Sequence, residues 1–247
     1  MGWLAVVAVF GAFFLVVVLP AALITVARSR TRNHRLAAFA SSMGFSYCRA
    51  LPGDVHPLVA SGNRVYQSAA AESFLRQFGG CPFFDCGSYR GVANVIHGRR
   101  WNRDWLIFDY HHWTESRHSG SEPQHATCVA ARTGQNLGRL SIEPRLPLLG
   151  PLMALVEPYD LVELGDPEFD AKFLVRSADP RDAPALLQPP VRQYLLSLWH
   201  SPAGWYRVAY VQDNTLVIVE SSFASVKHIG KMMEIARCFL DAVAAQG

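Results

Sequence analysis

The sequence predicts an α+β protein: an N-terminal transmembrane helix followed by a mainly antiparallel β-sheet domain with flanking helices. Three observations carry that prediction. Residues 3–27 contain no Asp, Glu, Lys, Arg or His. Runs rich in β-branched and aromatic residues come in pairs joined by short polar turns. Helical apolar stripes fall between these runs without strict β-α-β alternation.

Within residues 3–27 only Gly11, Pro20 and Thr25 are not apolar. As a helix, 25 residues rise about 37 Å, against a hydrocarbon core of about 30 Å. A backbone in lipid must satisfy its own donors and acceptors, so this stretch reads as a helix, with Pro20 as a kink. No Lys or Arg precedes the run, which exceeds the h-region of a signal peptide, and Thr25-Val26-Ala27 before Arg28 makes a poor cleavage site. A retained single-pass anchor is therefore expected. Arg28, Arg30, Arg32 and Arg35 follow it within eight residues. The positive-inside rule then places the N-terminus outside and residues 28–247 in the cytoplasm of an inner-membrane protein. These arginines are expected to flank the membrane and touch anionic headgroups. The organisation is a transmembrane anchor at 1–27, a basic juxtamembrane helix at 28–44 and a cytoplasmic α+β domain at 45–247.

The whole chain has 247 residues, is 50% apolar and 17% charged, and carries a net charge of +3. All its charges lie after Ala27, and so small an excess is no nucleic-acid footprint. Its five cysteines (Cys48, Cys81, Cys86, Cys128, Cys238) are odd in number and irregularly spaced, unlike a disulfide framework. Cys81 and Cys86 form the only close pair, with a spacing foreign to C-x-x-C redox motifs.

Beyond the anchor, Leu36, Phe39, Ala40 and Met43 recur at helical spacing and Gly44 stops the helix. Phe45 to Cys48 alternates like a strand. Ala69 to Phe78 reads as a helix ended by Gly79-Gly80 and Pro82. Val92–Gly98 and Asp104–Trp113 flank the polar turn Arg99–Arg103 as a hairpin. His125–Arg132 and Leu140–Glu143 complete four consecutive strands, expected as an antiparallel meander. The proline- and leucine-rich stretch 144–158 reads as a packed connection. Asp166 and Asp179, each before a proline, are expected helix caps. Phe173–Arg176 is a further strand, and Val191, Tyr194, Leu195 and Leu198 mark a helical face. Trp205–Val211 and Thr215–Glu220 form a second hairpin. Ile229, Met232, Met233, Ala236, Phe239, Leu240 and Val243 make the apolar stripe of a terminal helix.

Asn94-Val95, Phe108-Asp109-Tyr110, Ile142-Glu143-Pro144 and Asp166-Pro167-Glu168-Phe169 with Phe173-x-Val175-Arg176 together resemble a family of bacterial single-pass membrane-anchored proteins with a β-rich soluble domain of unknown function. The resemblance spans roughly residues 36–243. The chain departs from the pattern at Glu143-Pro144-Arg145, where Pro-Glu is usual, and in a longer region 60–90. The family carries no assigned enzymatic activity, so the resemblance implies architecture and anchoring more than function. A more remote likeness is to single-pass accessory proteins of mycobacterial lipid transporters, which share the anchor and the domain order.

Site chemistry is sparse. Phosphate-binding glycine loops, G-x-S-x-G, H-E-x-x-H and C-x-x-C are all absent from the sequence, so no catalytic residues, metal or cofactor are assigned. The richest group is Asp109, His111, His112 and His125, a ligand or metal site if the strands carrying them pair, although His111 and His112 must face opposite sides of their strand. In the plainer reading Asp109 lies on the solvent face or pairs with an arginine such as Arg99, Arg100 or Arg103. Trp101, Trp105 and Trp113 offer a partner surface, if they are not core residues. The anchor without site chemistry favours a non-catalytic interaction or scaffold protein. It would contact membrane lipid through one transmembrane helix, with another membrane protein as candidate partner and no nucleic acid. Two alternatives stay open: a membrane-tethered metal-dependent hydrolase using Asp109 with a histidine, and a lipid-binding domain gated by residues 146–156.

Overall fold

In a computed structural model of the chain, the described residues are Trp3, 14–51, 69–85, 89–114, 122–145, 159–198 and 207–245. A π-helical turn at Phe14–Val18 passes directly into helix α1, Leu19–Met43, with Pro20 in its first turn. Gly44, at φ 73°, closes α1 by donating its N–H to Ala40 and Ser41 carbonyls. The expected boundary between anchor and juxtamembrane helix thus falls inside one continuous helix. Among the described residues no helix is long and apolar enough to cross a membrane; residues 4–13 of the expected span lie outside them. Along the described part of that segment, Val16, Val17, Leu23 and Ile24 are exposed.

The strands are β1 (Ser46–Ala50), β2 (Tyr89–Arg100), β3 (Arg103–Thr114), β4 (Glu122–Arg132), β5 (Arg139–Pro144), β6 (Asp160–Val162), β7 (Phe173–Ser177), β8 (Arg207–Gln212) and β9 (Thr215–Glu220). They form one antiparallel sheet in the order β1-β2-β3-β4-β9-β8-β5-β7-β6. The α+β class with a mainly antiparallel sheet therefore holds. The four-strand meander does not: the hairpin β8–β9 lies between β4 and β5. Thr127 to Arg132 of β4 pair with β9, while β5 pairs with β8 on the far side. Leu216, Val217, Ile218 and Val219 are buried from both faces, which suits a strand at the centre of the sheet. The edge strand β6 has no counterpart in the sequence reading.

One face of the sheet packs Trp105, Ile107, Val129, Ile142, Val175, Val211 and Ile218 against α1 and the terminal helix α7 (Val226–Ala244). The same core takes in the short helices Pro167–Lys172, Asp182–Leu186 and Pro189–Leu198 (α4, α5 and α6). Every residue expected on the α7 stripe is buried, and Ser225 caps that helix by accepting the His228 N–H at 3.3 Å. The other face buries Phe108, Tyr110, Cys128 and Val219 under Ala71, Leu75, Phe78, Cys81 and Phe84. Four of those last five come from α2 (Ala69–Leu75), a 3-10 turn (Arg76–Phe78) and α3 (Pro82–Asp85), and Cys81 from the link just before α3. Cys81 and Cys128 are buried here outside any disulfide, and burial first, then the neighbouring Cys81 and Asp109, pushes the Cys128 thiol well up. Cys86, like residues 146–158, lies outside the described residues.

Asp166 caps α4, accepting the Phe169 N–H at 3.2 Å. Asp179 does not cap α5, whose first residue is Asp182. Its carboxylate instead takes the N–H and guanidinium of Arg181, which hold its pKa down at about 2. Two residues, Trp101 (φ 52°) and Asn102 (φ 56°), join β2 to β3 with the paired positive φ of a type I′ turn. Gly98 on β2 lies against the ring of Phe45, which a Cβ at this position would overlap. Gly98→Ala is expected to cost about 1–3 kcal/mol by overpacking. A Cβ at Gly134 meets nothing within 4 Å. Gly134→Ala should therefore leave the thermal midpoint close to that of the wild type, and a Gly98→Ala midpoint equally unchanged would refute the close packing.

Candidate functional site

Asp109 sits in the middle of β3 with its side chain 3% exposed, a costly position for a carboxylate unless every lone pair is engaged. The sheet and α1 supply the donors. Arg32 on α1 binds it with both terminal nitrogens, Nη2 donating to Oδ1 at 2.8 Å and Nη1 to Oδ2. Asn94 Nδ2 donates to Oδ2 at 2.8 Å, and Thr127 Oγ1 to Oδ1 at 3.0 Å. Fork-to-carboxylate pairing of this kind gives both energy and orientation. The arginines proposed as partners lie elsewhere: Arg103 pairs with Asp241 at 2.7 Å, Arg99 lies 4.0 Å from Asp104, and Arg100 Nη1 lies 2.8 Å from Met43 Sδ. The reason is direction. Asp109 points to the face covered by α1, while those three sit around the turn at the strand's far end.

The local backbone serves this arrangement. The β2–β3 register shifts between Ala93 and Ile96, and Asn94 adopts φ 52° in that bulge. Its amide is thereby aimed at Asp109, and its Oδ1 accepts from Tyr47 Oη at 2.7 Å. Burial raises the Tyr47 pKa, keeping the phenol a donor. Thr127 Oγ1 in turn accepts the Ala224 N–H at 2.8 Å, tying the loop before α7 into the network. Glu220, paired in register with Thr127, is fully buried with His228 Nδ1 at 3.4 Å from Oε1. A polar row thus crosses β2, β3, β4 and β9 at one level of an otherwise apolar core.

The histidines divide as alternation requires. His111 and His125 are register partners with ring centroids 6.1 Å apart, and His125 also lies 4.6 Å from Phe223. His112 faces the other side, stacked on Tyr110 at 5.3 Å. Burial lowers the pKa of His112, with His125 and Arg90 adding to it, and lowers that of His125 against the opposing pull of Asp109. Both rings are therefore favoured in the neutral form. Asp109, His111 and His125 share a face and His112 does not. Among the described residues no three His, Cys, Asp or Glu side chains form a group that could hold a metal ion.

Of the expected membrane-flanking arginines, Arg28, Arg30 and Arg35 are exposed. Arg32 is 23% exposed and committed to Asp109. Its place was legible: Arg32, Leu36 and Ala40 stand four residues apart, and the latter two are buried, so Arg32 extends a core-facing stripe by one turn. Asn94 and Glu220, polar residues in apolar strands, are the other marks of this network in the sequence. The three tryptophans also separate. Trp105 is 2% exposed, with Nε1 donating to the Arg100 carbonyl at 2.9 Å, so it is a core residue because its strand position faces α1 and α7. Trp101 is 43% exposed and lies 4.8 Å from the Arg100 guanidinium. The side chain of Trp113 lies outside the described residues.

An open cleft of about 400 Å³ lies on the opposite face, near the β2–β3 turn, between Phe78, His97, Arg99, Leu106, Arg132 and Thr215. Arg132 is held there by Gln77 Oε1 at 2.9 Å. Arg99, Asp104 and Arg132 bring charge to its otherwise apolar lining.

The fold has a solved counterpart. The chain is similar to the crystal structure of the mycobacterial trehalose monomycolate transport factor A, TtfA, with a TM-score of 0.54 over 88% of this chain and 96% of that one. Sequence identity between them is 13%, so the likeness is one of fold. No family model and no curated protein matches the chain.

Proposed function

We propose that this protein is a membrane-anchored, non-catalytic interaction module, an accessory to a membrane complex or transporter, with its α+β domain on the cytoplasmic side. The observation that carries the reading is the clamp. Helix α1 runs from the charge-free N-terminal segment into the core without a break, and the Arg32–Asp109 pair locks it to the sheet. An anchor joined in this way gives the domain one orientation at the bilayer, which a flexible linker would not. The uncharged residues 3–27, the exposed Val16, Val17, Leu23 and Ile24, and the arginines that follow support anchoring.

The chemistry of the network supports a structural rather than catalytic role. Both Asp109 oxygens are occupied by donors from the protein itself. A hydrolase built on Asp109 would have to break the clamp to use it. The fold likeness to a transport factor supports service to a transporter over a free-standing role.

Purification of the full chain from its own membranes in mild detergent tests the proposal. An integral membrane protein is expected to co-purify in roughly fixed proportion, and alkaline carbonate should fail to strip the chain from the membrane. Recovery of the chain alone, or only as a self-associated species, would overturn the accessory role, and release by carbonate would overturn the anchor.

A further inference from the structure

We propose that the turn Ser221–Ser225 is a lipid-contact surface, with Phe223 resting at the headgroup level of the bilayer beside the anchor. The inference rests on the anchored reading above and adds a second point of membrane contact. It comes from where α1 places this turn. Leu36, Ala40 and Met43 run along the domain, Met43 ending beside Arg100 at the β2–β3 turn. The N-terminal half of α1 therefore leaves the domain at the opposite end, where β9 ends and the chain turns into α7. Phe223 occupies that end, 46% exposed.

The level can be read from the helix. Ala27 closes the uncharged stretch, and Arg32 lies five residues on, about 7.5 Å along an upright axis. Helical side chains lean toward the N-terminus, which brings the guanidinium closer still to the apolar segment. The Phe223 ring centroid is 5.0 Å from Arg32 Cζ. A headgroup layer is about 5–8 Å deep on each side of the hydrocarbon core, so the ring falls within it. Trp101, the other exposed aromatic of the domain among the described residues, neighbours the end of α1 at Met43, about 24 Å from Ala27 by the same measure, out of reach of lipid.

The turn is built to hold that ring outward. Ala224 is fully buried, its N–H bound by Thr127 Oγ1 at 2.8 Å, and the Ser222 N–H is bound by the Glu220 carbonyl at 2.7 Å. With its neighbour fixed inward, Phe223 is presented between Arg32 and the His125 ring. Charge agrees with an anionic surface: α1 contains no acidic residue, and Arg28 and Arg30 are exposed in the turn above Arg32. An aromatic ring beside a cation, at the depth where ring and charge are both solvated, is how proteins commonly engage the interface.

The test uses the full chain in vesicles of phosphatidylcholine and phosphatidylglycerol. The Phe223→Trp emission, taken as the difference from wild type, is expected to be quenched about twofold or more by lipid brominated near the glycerol, and less by lipid brominated deep in the acyl chain. In the unmodified protein, hydroxyl-radical labelling supplies an independent measure. The ratio of Phe223 to Trp101 modification should fall about fivefold in vesicles relative to the urea-unfolded chain. No bromolipid quenching and an unchanged labelling ratio, in protein that resists carbonate extraction, would overturn the lipid contact and leave the anchor standing. Release by carbonate would overturn both. Protection of Phe223 only when a co-purified membrane protein is present would overturn the lipid contact in favour of a protein one.

Discussion

Asp109→Ala is expected to destabilise the protein by about 3 kcal/mol, a fall of about 6–12 °C in thermal midpoint for a chain of this size. The substitution strands the Arg32 guanidinium in a largely enclosed site and leaves Asn94 and Thr127 without their shared acceptor. Removing one member of a buried ion pair costs about 3–5 kcal/mol, and Arg32 retains enough contact with water (23% of its side chain) to place the effect at the lower end. Arg32→Ala should be harmful in its own right, because it leaves a buried carboxylate with only two neutral donors. The double variant is expected to be less harmful than the sum of the singles, the coupling that direct contact produces. Additive effects, or an Asp109→Ala midpoint within about 2 °C of wild type, would show that the clamp does not fasten α1 to the sheet. The functional consequence would be a domain loosened from its anchor, visible as faster amide exchange along the half of α1 that packs on β2 and β3.

Trp105→Ala is expected to cost about 3–5 kcal/mol, the range for deleting a large core aromatic. The indole lies 2% exposed among the side chains of the α1–α7 face, and its loss also removes the hydrogen bond to the Arg100 carbonyl. Trp105→Phe should recover most of that, at a cost of about 1–2 kcal/mol for the lost hydrogen bond and volume. Trp101→Ala, on the exposed turn, should change stability by less than about 1 kcal/mol. Were Trp105 a partner-binding residue, its alanine variant would keep wild-type stability and lose binding instead. Denaturation of the three variants side by side separates the two roles.

Some features were legible because their causes are local. The α7 stripe follows from 3.6-residue periodicity, the α1 stop from a glycine able to take positive φ, and both hairpins from paired β-rich runs around polar turns. Asp166 could be read as a cap since its partner is three residues away. Asp179 shows the limit of the same rule, as the arginine two residues on competes for its carboxylate. The histidines were half legible. Alternation separates His111 from His112, but only register shows His111 opposite His125. The short edge strand β6 passed unnoticed because three residues carry too little pattern to register.

By itself the sequence determined the α+β class, the charge-free segment with its basic flank, and the kind and order of most elements after it. Each of these depends on composition or on residues a few positions apart. The tertiary structure alone decided which strands are neighbours, inserting β8–β9 between β4 and β5. It also decided that Asp109 finds its arginine 77 residues upstream rather than on its own hairpin. Such pairings are settled by which faces the packed elements turn toward one another, and residues so far apart leave no periodic or adjacent mark in a single chain. Helical spacing turns Arg32 toward the core with Leu36 and Ala40, but only the packed sheet shows that Asp109 is what it meets.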